Sequence, residues 1–231
     1  MKRFWKTACV VIEGQLYAIQ LDGRPLKLPS GRPLAVPFSA LANGIAAEWA
    51  QARQDFTPDD LPMTRLASTA QERIGTHRAD IVQQLAAYGM NDLLCYRAES
   101  PAGLVSLQAR NWDKWLDWAA DQYGIQLRTV GGIQPIHQAP EILLRLTKIL
   151  SSFNDYHLAA LGVIVPALGS LILGLALAGG KLDATEACET AELDEVWQQS
   201  QWGQDREALA KRRKTSEDVA LSLCFMRLCT P

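Results

Sequence analysis

The segment from Leu158 to Gly180 carries no charged side chain, and it limits the folds that this chain can adopt. It is long enough for a membrane-spanning helix. Gly162, Pro166, Gly169 and Gly174 interrupt it, however, and a proline inside a helix removes a backbone hydrogen bond and clashes with the preceding turn. No loop rich in lysine and arginine, and no aromatic belt, flanks the segment to orient it in a bilayer. The pattern therefore predicts two buried helices, broken near Pro166 and stopped by Gly179-Gly180, without membrane insertion.

The charge balance of the chain argues against a nucleic-acid partner. Lys and Arg number 23 and Asp and Glu 25, which gives a net charge of −2. Dedicated nucleic-acid-binding proteins usually carry a basic excess. The 5 cysteines include no CxxC pair, and the N-terminus lacks the apolar region of a secretory signal. We therefore expect reduced cysteines and a cytoplasmic, bacterial protein.

Residues 7–36 have the pattern of antiparallel strands. Asp22-Gly23 separates two apolar runs, and this dipeptide is a strong hairpin signal because its turn requires positive φ at both central positions. Pro25 and Pro33 lack a backbone donor, so their strands are expected to lie at sheet edges or to begin at the proline. The segment predicts a small meander or partial barrel that is too short to be stable alone.

After Pro37 the apolar residues recur with the period of a helix. Leu41, Ile45 and Trp49 form one stripe, which predicts that Trp49 is buried. Helices are expected over most of the remaining chain, among them 102–123, 184–200 and 205–228, with short strands at 92–96 and 126–130. The prediction is an α+β fold, with an antiparallel β subdomain over residues 1–37 and a larger helical-bundle subdomain over residues 38–231.

One apolar seam is expected on the helix at residues 102–123. Trp112 lies at its centre, and the other members follow in alternating steps of four and three residues: Val105, Ala109, Leu116, Ala119 and Tyr123. Four residues are expected on the flank of this seam: Gln108, Trp115, Trp118 and Gln122.

The residues offer little equipment for catalysis. There is no GxGxxG after a strand, no HExxH and no GxSxG. The glycines before Lys181 look briefly like a phosphate-binding loop, but Leu182 stands where such a loop needs a hydroxyl. The 3 histidines are too far apart in sequence to predict a metal site. We predict no catalytic residues, no cofactor and no metal; a small-molecule enzyme with a site between the subdomains, or a peripheral membrane-associated protein, remains the alternative.

The segment from Leu193 to Gln198 is compatible with a partner-binding helix. Asp194 and Gln198 share one helix edge at i, i+4, beside an apolar stripe. The chain has 7 tryptophans, and large aromatic residues dominate binding hot spots as well as cores. Burial of Trp202 is less obvious from the pattern than burial of Trp112. An ordinary solvated edge fits the same pattern, so the residues alone leave both readings open.

A set of longer motifs, in consistent order, covers roughly residues 3 to 205. They are RFWK at 3–6, LDGRPLKLPSGRPLAVP at 21–37, Glu48-Trp49, LPMTRLASTA at 61–70, Gln108 ahead of Trp112-Asp113, SLILGLALAGG at 170–180 and LDEVWQQSQWG at 193–203. Together they resemble the ATP synthase assembly chaperones that act on the α subunit of the catalytic head. Lys114 departs from the family, which often has proline there, and this should affect only how that helix starts.

The resemblance implies a chaperone that works without nucleotide and is not an enzyme. Such a chaperone binds the unassembled α subunit, prevents its aggregation and hands it over to the β subunit; eukaryotic relatives would work in the mitochondrial matrix. In this family the acidic residue after the leucine of the LDE-type motif is functionally important, and that position here is Asp194. We therefore expect a monomeric protein that contacts the α subunit through Asp194, Glu195, Gln198 and Trp202.

Overall fold

The computed structural model describes residues 1–132, 134–203 and 206–230, and it has the predicted α+β fold. A small antiparallel sheet near the N-terminus precedes a mostly helical chain. The strands are β1 (Ala8–Glu13), β2 (Leu16–Leu21), β3 (Arg24–Pro25), β4 (Ala35–Val36), β5 (Tyr96–Arg97) and β6 (Val130–Gly131). The helices are α1 (Ser39–Gln51), α2 (Pro62–Ser68), α3 (Gly75–Met90), α4 (Ala102–Tyr123), α5 (Pro140–Ser151), α6 (Asp155–Leu168), α7 (Leu171–Ala178), α8 (Ala184–Ala191), α9 (Leu193–Trp202) and α10 (Arg206–Leu228).

The sheet is built around β2. Strand β1 pairs antiparallel with one edge of β2, and the two-residue strands β3 and β4 pair with its other edge. The turn from β2 to β3 has φ of 47° at Asp22 and 76° at Gly23, which confirms the hairpin predicted from this dipeptide. The Asp22 carboxylate accepts hydrogen bonds from the backbone N–H groups of Lys6 and Thr7. This contact holds the start of β1 against the turn.

Trp49 is buried in α1, as predicted. Its ring lies 4.8 Å from that of Trp5 and 5.9 Å from that of Phe56, measured between centroids. The indole Nε1 donates a hydrogen bond of 2.8 Å to Thr64 Oγ1. Trp49 therefore supplies both apolar contact area and a satisfied polar group to this core.

Helices α6 and α7 are the predicted pair of buried helices, but the chain breaks at a different residue. Pro166 lies within the last turn of α6, and the chain turns at Gly169, which has φ of 64°. Left-handed backbone is readily accessible only to glycine, so Gly169 rather than Pro166 sets the break. Every residue of α7 from Leu171 to Leu177 is buried. Within the described ranges, no helix is both long and apolar enough to cross a membrane.

The buried face of α4 differs from the predicted seam. It consists of Leu104, Gln108, Trp112 and Ala119, while the other predicted members are only half-buried. Placing Gln108 on the flank was wrong, because its side chain is 1% exposed. Its spacing fits the buried face, but burial of an amide also depends on hydrogen-bond partners, and these lie elsewhere in the chain.

The segment predicted as one helix over 184–200 is two helices. An Asp183–Glu186 capping box begins α8, and Glu192 separates α8 from α9. Short strands expected at 92–96 and 126–130 are found slightly later, where β5 and β6 pair in parallel. The start predicted at residue 205 for the last helix lies outside the described residues.

The chain divides into two compact units. One contains Met1–Arg78, Asn154–Ala160 and the segment from Cys224 onward; the other contains Ala79–Phe153 and Leu161–Leu223. Helices α3, α6 and α10 contribute residues to both. The boundary predicted after residue 37 separates β4 from α1, and the division into subdomains 1–37 and 38–231 stays a prediction.

Candidate functional site

The four residues predicted to bind a partner all lie on α9. Glu195, Gln198 and Trp202 follow one another in steps of three and four residues, so they occupy one face of the helix. All three are exposed, and Trp202 is 79% exposed. We call these three residues the α9 outer face. The structure thus presents a carboxylate, an amide and an indole together on one accessible surface.

Asp194 lies at the inner edge of α9 instead. It is half-buried, and its Oδ1 accepts a hydrogen bond of 2.8 Å from Nε2 of Gln108 on α4. The Gln108 Oε1 in turn accepts a hydrogen bond of 2.8 Å from the backbone N–H of Ala98. These two bonds satisfy the buried glutamine and connect α9 to α4. Asp194 therefore has a partner inside this protein, and its predicted contact with a client stays a prediction.

Trp112 forms a second connection between α4 and the segment that carries α9. Its side chain is fully buried, and Nε1 donates a hydrogen bond of 2.8 Å to the carbonyl oxygen of Thr190 in α8. The Arg97 guanidinium stacks over the Trp112 ring at 5.3 Å and forms an ion pair of 2.8 Å with Asp113. Helix α4 thus holds α8 through Trp112 and α9 through Gln108.

Arg212 on α10 fixes the opposite side of α9. It forms an ion pair of 2.7 Å with Glu192 and donates a hydrogen bond of 3.2 Å to Gln199. Glu195, one turn away from Glu192, has no ion-pair partner in the part of the chain that the structure describes. The acidic group on the α9 outer face is therefore available to a cation from outside.

The chemistry of the α9 outer face suits a protein partner. A large aromatic side chain is typical of interface hot spots, where such an anchor fills a pocket, and a carboxylate beside it can fix orientation through a charged hydrogen bond. Val196, 41% exposed, lies on a neighbouring flank of α9. The arrangement can bind an apolar segment flanked by Arg or Lys.

A cavity of about 390 Å³ lies elsewhere in the same unit, lined by Asn111, Lys114, Trp115, Lys181, Glu186, Glu189 and Thr190. Two of its polar groups have structural roles. Glu186 accepts a hydrogen bond from the Asp183 N–H at the start of α8, and the Thr190 carbonyl accepts from Trp112. Across the described ranges, His, Cys, Asp and Glu side chains form no group of three that could hold a metal.

Asp92 is a buried polar residue whose role the sequence did not reveal. It was expected in a short strand, but its Oδ1 accepts from the Leu94 N–H at 3.1 Å and its Oδ2 from the Ile172 N–H at 3.0 Å. Complete burial raises the pKa of this carboxyl to about 6, and the hydrogen bonds from the backbone partly oppose that rise. Asp92 thereby satisfies a backbone donor at the start of the apolar helix α7.

Comparison with known proteins gives a consistent result for this chain. The family model described as ATP12 chaperone protein matches residues 2–120. The mitochondrial protein atp12 of Schizosaccharomyces pombe is 30% identical over an alignment of 243 residues, which covers 97% of this chain and 83% of that protein.

Solved structures agree over almost the whole length. The crystal structure of Atp12 from Paracoccus denitrificans has a TM-score of 0.94 and 38% identity, covering 99% of this chain and 98% of that one. An aspartate-to-lysine mutant of Atp12p from the same organism has a TM-score of 0.93 and 37% identity, covering 98% of this chain and 97% of that one.

Proposed function

The chain belongs to the ATP12 chaperone family, and from that premise we propose that it is an assembly chaperone of the F-type ATP synthase. It binds the unassembled α subunit, keeps that subunit from aggregating and hands it over to the β subunit. The resemblance between the motifs of this chain and chaperones of the α subunit supports the choice of client.

The physical need for such a protein follows from the architecture of its client. A subunit taken out of an alternating ring exposes the apolar surface that normally contacts its neighbours, and surfaces of that kind aggregate. A chaperone has to cover this surface and then give way to the true neighbour. Moderate affinity therefore serves it better than very tight binding.

The observation that carries the proposal is the α9 outer face. Trp202 exposes 79% of its surface, while Asp194, at the inner edge of the same helix, is hydrogen-bonded to the core of its unit. An aromatic side chain held out in water by a supported helix fits an anchor for a partner protein. Glu195 beside it provides charge for a client Arg or Lys.

Aggregation of the isolated α subunit provides the test. Light scattering after dilution of α from denaturant should fall when the parent protein is present, and added β subunit should release α from the complex. We expect Trp202→Ala to lose most of this protection. The matched control is Leu144→Ala on α5, because Leu144 is likewise apolar and 71% exposed in the same unit.

A charge reversal tests the acidic part of the surface. Glu195→Lys should weaken binding to α, while Asp121→Lys, an exposed acid at the end of α4, should leave it unchanged. Two results would contradict the proposal: a parent protein that neither binds α nor lowers its scattering, or a complex with α that added β subunit leaves intact.

A further inference from the structure

Strand β1 is an edge strand without the usual protection. Among the described strands only β2 pairs with it, in an unbroken register from Ala8 opposite Leu21 to Glu13 opposite Leu16. Natural proteins protect long edge strands with lysine, proline, a bulge or short length. The six residues of β1, ACVVIE, include none of these devices, and the only charge stands at the end, on Glu13.

The hairpin geometry determines which backbone groups of β1 face outward. Glu13 and Leu16 flank a two-residue turn in which Gly14 has φ of 64°, so these two residues form a hydrogen-bonded pair. At the other end of the hairpin, the N–H of Asp22 donates a hydrogen bond of 3.1 Å to the carbonyl oxygen of Thr7. Thr7, like Glu13, is an odd-numbered residue. Odd-numbered residues of β1 therefore bond to β2.

Even-numbered residues of β1 point their backbone groups away from β2, because opposite residues alternate along an antiparallel ladder. These are Ala8, Val10 and Ile12. Their N–H and C=O groups make no hydrogen bond with any described residue. The outer edge of β1 thus offers alternating donors and acceptors with the spacing of a strand.

The opposite side of the same sheet shows what protection looks like. Strands β3 and β4 are two residues long, Pro25 lies within β3, and Pro33 shortly precedes β4. Prolines at such positions remove donors that another chain could use. One edge of the sheet is therefore protected and the other, at β1, is not.

We propose that the outer edge of β1 binds an extended, uncharged segment of the unassembled client and adds it to the sheet as a further strand. The inference rests on the proposed function, since it names where such a client would attach. Backbone groups at an edge recognise an extended chain through main-chain hydrogen bonds. Ile12, 72% exposed, and the half-buried Val10 add apolar contact, and the uncharged run ACVVI favours an uncharged segment opposite it.

The size of the edge favours a client over a second copy of this chain. Six residues of strand are about 20 Å long, and with about 10 Å of sheet thickness the edge covers on the order of 200 Å² per partner. A stable interface needs about 800 Å² per partner. Two copies joined only through β1 would therefore not form a stable dimer, whereas a weak contact suits a client that has to be released.

Hydrogen exchange measured residue by residue gives a direct test in the full-length protein. Without client, the amides of Val10 and Ile12 should exchange rapidly, whereas those of Cys9 and Val11 are already bonded to β2. Adding the α subunit should slow exchange at Val10 and Ile12 by at least about tenfold and leave Cys9 and Val11 as they were. Unchanged exchange at Val10 and Ile12 in a formed complex would overturn the inference.

Substitutions test the same edge through affinity. Val10→Pro removes one outward donor without removing a bond to β2, and we expect about tenfold weaker binding of α; Val10→Ala keeps the donor and should bind nearly as the parent does. If Val10→Pro melts at a much lower temperature than the parent, Ile12→Lys is used instead, because the Ile12 side chain lies in solvent. Ile12→Thr is then the control. Parent-like binding of α by the variant that is used, Val10→Pro or its replacement Ile12→Lys, would overturn the inference.

A separate probe distinguishes failure of this inference from failure of the proposed function. If the parent protein does not bind α, the proposed function is wrong. The exchange measurement is then repeated with a peptide in place of the α subunit. This peptide has eight residues of alternating threonine and valine, with lysine at both ends. If this peptide protects the Val10 and Ile12 amides from exchange, the edge is supported as a binding site. If these amides are not protected, the inference is overturned. Protection that instead rises with protein concentration alone identifies a second copy as the occupant and also overturns the inference.

Discussion

Replacing Asp194 by alanine should destabilise the fold, because the buried amide of Gln108 then loses its acceptor. Gln108 Nε2 lies 2.8 Å from Asp194 Oδ1, and the glutamine is 1% exposed, so its amide depends on this acceptor within the protein. An unsatisfied buried donor costs about 1–3 kcal/mol. Since 1 kcal/mol shifts the melting temperature of a chain of this size by about 2–4 °C, we expect a decrease of roughly 2–12 °C.

Asp194→Asn separates this structural role from contact with a client. Asparagine keeps an oxygen where Gln108 needs one and removes the charge, so melting should stay within about 3 °C of the parent. If the carboxylate also binds Arg or Lys of the α subunit, affinity should fall by about 13- to 160-fold, equivalent to the roughly 1.5–3 kcal/mol of a charged hydrogen bond. Parent-like affinity would mean that Asp194 acts only within the fold.

Thermal melting followed by circular dichroism and titration calorimetry with the α subunit measure the two quantities. Glu195→Ala is the control for melting, because its exposed side chain makes no ion pair with a described residue. In a double-mutant cycle with Gln108→Ala, the destabilisation should be clearly less than additive. An Asp194→Ala protein that melts with the parent would refute the reasoning, since Gln108 would then have another partner.

Three further predictions concern the core, pH and nucleotide. Trp49→Arg should prevent soluble folding, because an unpaired charge would replace a buried ring and cost several kcal/mol; soluble protein with parent-like circular dichroism would contradict this. The pKa of Asp92 is about 6 in the folded protein, above the ordinary value of 3.8, so the fold favours the protonated carboxyl. The stability that this preference adds is complete below about pH 4 and is lost as pH rises through about 6. Urea unfolding from pH 4 to 7 should therefore show the parent losing up to about 3 kcal/mol relative to Asp92→Asn, and parallel curves would contradict it. Protection of the α subunit should need no ATP on the chaperone side, tested by scattering with and without ATP and with α alone as the control.

Features set by neighbouring residues could be predicted from the sequence. The Asp22-Gly23 turn follows from the backbone freedom of two adjacent residues, and burial of Trp49 from the helical spacing of Leu41 and Ile45. The break between α6 and α7 was assigned to Pro166 because proline disfavours helix interiors. In the structure Pro166 lies within α6, and the break is at Gly169 because the chain turns there through a left-handed residue, a conformation that favours glycine.

Features set by distant partners could not be predicted in the same way. Gln108 is buried because Asp194, 86 residues away, accepts its hydrogen bond, and no local pattern signals that pairing. Its spacing of four residues from both Leu104 and Trp112 was the available clue, but the polar side chain concealed it. The α9 residues follow from family resemblance and a helical edge, and no pattern of apolar spacing points to them.

Helix α7, buried from Leu171 to Leu177, has a consequence for the order in which this protein is made. Asp92, which accepts a hydrogen bond from the Ile172 N–H, precedes it by 80 residues, and α4, which packs on α7, also comes earlier in the chain. At about 5–20 residues per second, a ribosome completes Asp92 about 4–16 s before Ile172. The surface that receives α7 is thus synthesised first, and α8, which also packs on α7, follows within seconds. Vectorial synthesis therefore keeps short the time for which this apolar helix is exposed.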